Sequence, residues 1–283
     1  MATPLVVSGP IPTILSAIER LQRYDAAVEE KLAFFTKMTV GFWIGTAVFF
    51  ILTVILSIYP LVILLVPCLV VAIYSTVRRA YFAGENIEDR RLSGPQHFLE
   101  ILGNDVPRKG KCTLSLNFDG YLKHGKLVSK TGSASTGTQA MYKDNWLSAK
   151  GILCDGSVFR FGIDQYVSRK ERQKRKYTKV AERRLEKLNL SLKVSPDAYP
   201  EWQQLATLLQ PGPVNNLQVT RVNVANNTIR VTAVTPPFRK VTGRTGTQVS
   251  GSECLTDGDM MLQLFVYVYS QLQQCMGKQP VTE

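Results

Sequence analysis

Charge is missing from one long stretch of this chain. From Met38 to Val77 the sequence reads MTVGFWIGTAVFFILTVILSIYPLVILLVPCLVVAIYSTV, with no Asp, Glu, Lys, Arg or His. A helix needs about 20 apolar residues to cross the hydrocarbon core of a bilayer, so the run suffices for two. Each Leu, Ile, Val or Phe favours insertion by a few tenths of a kcal/mol, whereas one central Arg would cost about 3 kcal/mol. Pro60 lies near the middle and cannot donate a helical hydrogen bond. The expected arrangement is therefore two antiparallel spans, Thr39–Ile58 and Leu61–Ala80, turning at the segment SIYP. Pro67 falls inside the second span, where lipid tolerates a kink. Gly41 and Gly45 form a GxxxG pair that lets a second helix approach closely, either the hairpin partner or another copy.

Histidine is nearly as scarce: only His97 and His124 occur. The five cysteines, Cys68, Cys112, Cys154, Cys254 and Cys275, show no CxxC or paired spacing. A zinc site has no support in such a pattern, and free thiols in a reducing compartment are the simplest reading. Neither HExxH nor GxSxG occurs. The segment GNDVPRKGKC, Gly103 to Cys112, has six residues between its glycines and Cys where a phosphate loop carries Ser or Thr. It can neither wrap a phosphate nor hold magnesium in the usual way. Asp119, Asp144, Asp155 and Asp164 have no telling spacing. No catalytic residue, metal ligand or cofactor site is assigned, and the composition points away from an enzyme.

Positive charge, by contrast, is abundant and concentrated. The chain carries a formal net charge of +12. Ser168 to Asn189 alone holds ten Lys or Arg against three Glu, which is +7 of that total. Such a block suits an anionic surface, nucleic acid, an acidic partner or plain solvation. Nucleic acid is the weaker reading, because Tyr166 and Tyr177 are the only flanking aromatics and no groove-reading motif is present. Near a bilayer each basic residue adds about 1 kcal/mol of attraction to anionic headgroups. Arg169, Lys170, Arg172, Lys174, Arg175, Lys176 and Lys179 are the candidate contacts.

Residues 1–37 are read as an amphipathic N-terminal helix, with Ile14, Ile18, Leu21, Val28, Leu32 and Phe35 on a heptad stripe that Asp25 interrupts. The stripe packs either on the protein's own cytoplasmic domain or on a second copy. The first 19 residues lack Lys and Arg and have no suitable apolar core, which argues against a secretory signal. Arg20, Arg23, Lys31 and Lys37 precede the uncharged run, and Arg78, Arg79, Arg90 and Arg91 follow it. The positive-inside rule then places both flanks in the cytoplasm.

After a connector over 82–110, with a short helix capped at Ser93, the pattern changes to short β-rich runs. KCTLSLNF, YLKHGKLVS, NWLSAKGIL and SVFRFGIDQYV are strand candidates, CDGS is a hairpin turn, and ANN joins NLQVTRVNV to TIRVTAVT. Thr131–Gln139 and Gly243–Gly251 read as polar loops. KVAERRLEKLNL reads as a short amphipathic helix through Val180, Leu185 and Leu188, following a solvated hairpin tip. YPEWQQLATLLQPGP contains a short helix. The last element, TDGDMMLQLFVYVYSQLQQCMG, is a helix with Met261, Leu264, Phe265, Val268, Leu272 and Cys275 on one stripe and Asp257 and Asp259 at its positive end.

The expected architecture is a membrane-anchored α+β protein. A two-span transmembrane helical hairpin (38–81) precedes a cytoplasmic antiparallel β domain (111–283) with a long C-terminal helix. The expected role is a binding or scaffolding protein of an inner (plasma) membrane, multi-pass, with both termini cytoplasmic and a basic segment facing anionic lipid or an acidic protein. A second reading makes it a subunit of an oligomeric transport or channel assembly. It would self-associate through the N-terminal helix or hairpin, although no ionisable residue lies within the spans to handle an ion.

Overall fold

The computed structural model describes residues 4–56, 62–122, 125–133, 137–243, 246–250 and 256–275. The chain divides into two compact units, one over Glu19–Glu88 and one formed by Thr3–Ile18 with Asp89–Glu283.

The first unit is a helical hairpin built from α1 (Ile11–Leu56, which begins in the other unit) and α2 (Val62–Glu85). Its contacts run antiparallel. Tyr24 Oη donates to Glu85 at 3.0 Å, Phe35 stacks on Phe82 at 5.6 Å, and Trp43 Nε1 donates to Thr76 Oγ1 at 3.1 Å. Asp25, the interruption in the heptad stripe, is buried and accepts from the backbone N–H of Ile87 at 2.8 Å. Its carboxylate thus meets a donor just beyond the end of α2. Thr39, Thr46 and Thr53 each return their hydroxyl to the carbonyl four residues earlier at 2.7 Å, so these polar groups need no water. Both helices are long and apolar enough to cross a membrane. The turn expected at Ser57–Pro60 lies outside the described residues.

The second unit is a large antiparallel sheet with helices on one face. Its strands are β1 (Leu5–Gly9), β2 (Cys112–Leu116), β3 (Leu127–Ser133), β4 (Gly137–Ile152), β5 (Val158–Gln173), β6 (Thr178–Lys193), β7 (Gly212–Val214), β8 (Leu217–Ala225), β9 (Thr228–Val234), β10 (Phe238–Gly243) and β11 (Gly246–Ser250). The main order is β1-β2-β4-β5-β6-β9-β8-β7, with β3 on β4, β10 on β6 and β11 on β10. The helices are α3 (Arg90–Leu102), the single turn α4 (Leu205–Leu208) and α5 (Gly258–Leu272).

Strand alternation builds the core. Phe159, Phe161 and Ile163 of β5 and Leu188, Leu190 and Leu192 of β6 fall on one face, where Phe98, Leu99 and Leu102 of α3 and Met261, Leu264, Phe265, Val268 and Leu272 of α5 meet them. Phe98 lies 5.3 Å from Phe161 and 5.4 Å from Phe265, centroid to centroid. Ile11, Ile14 and Ile18 at the start of α1 join this core. Asp257 caps α5 by accepting from Met260 N at 2.8 Å.

Several local expectations change. KVAERRLEKLNL is not a helix but most of β6, because sixteen cross-strand partners on β5 override a short 3.6-residue periodicity. Thr131–Gln139 and Gly243–Gly251 contain strand residues of the β3–β4 and β10–β11 hairpins rather than open loops. Ser93 does not cap α3, which starts at Arg90 after Asp89. Residues 1–37 are not helical throughout, since β1 pairs with β2 before α1 begins. In β8 a bulge against β9 shifts the register between Val219 and Arg221, which breaks the alternation of NLQVTRVNV there.

Candidate anion-binding face

Residues directly opposite each other in an antiparallel pair share a face, and neighbours along a strand do not. Applied to β5, β6 and β10, this rule sorts the basic block into two populations. On the inner face, continuous with the core, Arg169 pairs in register with Glu182, and Glu182 with Lys240. Glu171 shares that face. Arg169 NH2 lies 2.6 Å from Glu171 and NH1 3.7 Å from Glu182, while Arg184 NH2 reaches Glu182 at 3.0 Å. Tyr121 Oη also donates to Glu182.

This inner network fixes its own protonation states. Burial pushes the Glu182 carboxyl up. The hydrogen bonds from Tyr121 and Arg184 and the charges of Arg184 and Arg169 outweigh burial and hold it below the ordinary carboxylate value. Burial, and then the bond to Glu182, push the Tyr121 phenol up to about 12. The acids of the inner face are therefore matched to Arg169 and Arg184.

The outer face has the opposite character. Lys170, Arg172, Lys179, Arg183 and Arg239 lie there, all exposed, and no ion pair joins any of them to a carboxylate among the described residues. Further along the same face come Lys150, Arg160 and Arg230. Asp164 is the one carboxylate that the register of β4, β5, β6, β8, β9 and β10 places on this side, and Lys143 already meets it at 3.3 Å. Three cross-strand pairs set cation directly against cation: Arg172 with Lys179, Arg183 with Arg239, and Lys150 with Arg160. Like charges in that position destabilise a sheet.

The cations border a concavity of about 810 Å³, with Lys170, Arg183 and Arg239 on its wall and Met141, Tyr166 and Leu185 contributing apolar surface. Lys143 Nζ sits 5.7 Å from the Tyr166 ring centroid. The arrangement suits a polyanion that brings several charges to a shallow, partly apolar surface.

The seven basic residues singled out in the sequence thus part company. Lys170, Arg172 and Lys179 lie on the outer face, Lys174, Arg175 and Lys176 lie in the exposed β5–β6 turn, and Arg169 is held in inner ion pairs. Arg183 and Arg239, which share the outer face, were not among the seven. The two-residue alternation of β5 and β6 was the signal for Arg183, but Arg239 required the pairing of β10 with β6, 56 positions apart in sequence at that point. A Cβ on Gly41 or Gly45 would meet no atom within 4 Å.

The other groups weighed in the sequence have separate partners. Asp144 is buried against Arg91 at 3.0 Å and Lys126 at 2.7 Å. Asp155 accepts from Tyr199 at 2.8 Å and from Tyr269 at 3.2 Å, and burial, followed by that carboxylate, raises both phenols. His97 faces Asp259 at 3.0 Å. Burial pushes the Cys112 thiol up to about 11, so it is a poor nucleophile. Comparison with protein families, with curated proteins and with solved structures finds no match for this chain.

Proposed function

We propose that this chain is a binding or scaffolding protein held in a cell's inner membrane by α1 and α2, with both flanks cytoplasmic, and that its outer sheet face contacts an anionic partner. One observation carries the reading: the sheet's alternation matches the acids Glu171 and Glu182 to inner arginines and leaves the outer cations unneutralised. A merely solvated face has no need of three directly opposed like-charge pairs, whose repulsion a bound anion would relieve. Membrane anchoring draws support from the apolar side chains that α1 and α2 expose, such as Ile44, Ile51, Val54 and Ile55 on α1 and Ile63, Val66, Val70 and Ile73 on α2.

The test uses the full chain in nanodiscs of neutral phosphatidylcholine, sedimented with phosphatidylglycerol vesicles at low and at moderate salt. Binding should appear with the anionic vesicles, weaken with salt, and drop at least tenfold when Lys170, Arg172, Arg183 and Arg239 are all changed to Gln. Unchanged binding by that variant would refute the assignment of the face.

A further inference from the structure

The cations on the outer face are arranged around one small residue. Ala181 of β6 has Lys179 and Arg183 on either side along its strand, on the same face. Across on β5, Lys170 is directly opposite, with Ser168 opposite Arg183 and Arg172 opposite Lys179. Across on β10, Val241 is opposite Ala181 and Arg239 is opposite Arg183. Five long cationic side chains therefore surround a methyl group, with no carboxylate in the ring. Strands lie about 4.8 Å apart and same-face residues along a strand about 7 Å apart, so the ring is roughly 14 Å by 10 Å across. The Ser168 hydroxyl and the Gln139 amide, both beside the concavity, add neutral donors at its edge.

We propose that this ring is a discrete site for the clustered phosphates of a lipid headgroup. The inference rests on the reading of the outer face as an anion contact, and adds a shape to it. A diffuse attraction to anionic lipid needs only net charge. A ring with a depressed, uncharged floor admits a compact group whose two phosphates are a few ångströms apart and engages both at once, with the arginines forking onto phosphate oxygens. Charge complementarity and the breadth of the ring select such a group over singly charged headgroups. A chain with two helices long and apolar enough to cross a membrane would meet that chemistry on lipid.

The test compares vesicles containing cardiolipin, whose headgroup links two phosphates, with phosphatidylglycerol vesicles of equal surface charge. The full chain is presented in neutral nanodiscs. About tenfold tighter binding to the cardiolipin vesicles is expected, on the strength of one or two extra charge contacts. Ala181→Phe fills the floor without altering charge, and should abolish that preference while leaving phosphatidylglycerol binding in place. Ala181→Leu serves the same purpose if the larger ring lowers the urea midpoint. A wild-type chain with no preference, or an A181L chain that keeps it, would overturn the site. Tight binding of free tripolyphosphate without any preference between vesicles would overturn the lipid assignment in favour of a soluble ligand. Failure to bind either vesicle would instead strike the anion-contact reading itself.

Discussion

The carboxylate of Glu186 is fully buried and accepts from Arg90 NH1 at 2.8 Å, Gln165 Nε2 at 3.2 Å and Thr256 N at 2.8 Å. A buried carboxylate persists only when donors replace its hydration, and removing one partner of such a pair costs about 3–5 kcal/mol. Glu186→Ala should lower stability by about that amount, and Glu186→Gln by less. Urea unfolding of the full chain in nanodiscs, followed by fluorescence, measures it: Trp146 is fully buried, with the guanidinium groups of Arg90 and Arg91 within 6 Å of its ring. A loss below about 1 kcal/mol for the Ala variant would mean that the network is not structural. Residue identity alone does not reveal these roles. Glu182 and Glu186 read as dilution of a basic block, and Arg169 reads as one of its exposed cations. In a strand, two residues of separation mean one face and one residue means the opposite face. Only that geometry tells which charges are matched and which are left to solvent.

The long hairpin of β5 and β6 is the element on which function is proposed to rest, and its charge pattern sets stability against binding. Arg239→Glu would turn the opposed pair Arg183–Arg239 into an attractive one. The sheet should gain about 0.2–1 kcal/mol, while affinity for anionic vesicles falls several-fold. Paired urea and sedimentation measurements on one variant check both signs, and a destabilised variant with unchanged affinity would contradict the trade. Part of this hairpin was legible: the alternation in SVFRFGIDQYV, which becomes most of β5, follows a local rule, as do the CDGS turn between β4 and β5 and, elsewhere, the stripe of α5. β6 was only half legible, since Val180, Leu185 and Leu188 fit a helical spacing until β5 and β9 are known to flank the segment. The strand β1 was not legible at all. Five residues between Pro4 and Pro10 carry too short a pattern, and their partner β2 lies more than 100 positions further on.

At the scale of the whole molecule, the two units follow from opposite demands on one chain. Forty uncharged residues have no use for a polar solvent, and they fall within the hairpin that shows apolar side chains outward. The sheet unit instead buries its apolar faces and collects the cations. The candidate face was legible as a charge excess but not as a surface, because it needs β10, far along the chain, to complete it. Arg90 and Arg91, counted in the sequence as flanking charges of the uncharged run, also serve the sheet through Glu186 and Asp144. The most direct measurement is lysine acetylation footprinting of the full chain in neutral nanodiscs, with and without anionic vesicles, read by mass spectrometry. The expected result is protection of Lys170 and Lys179 on the outer face, with no change at Lys130, which is exposed on the other side of the sheet. Equal protection of all three lysines, or of Lys130 alone, would contradict the outer face as the anion contact.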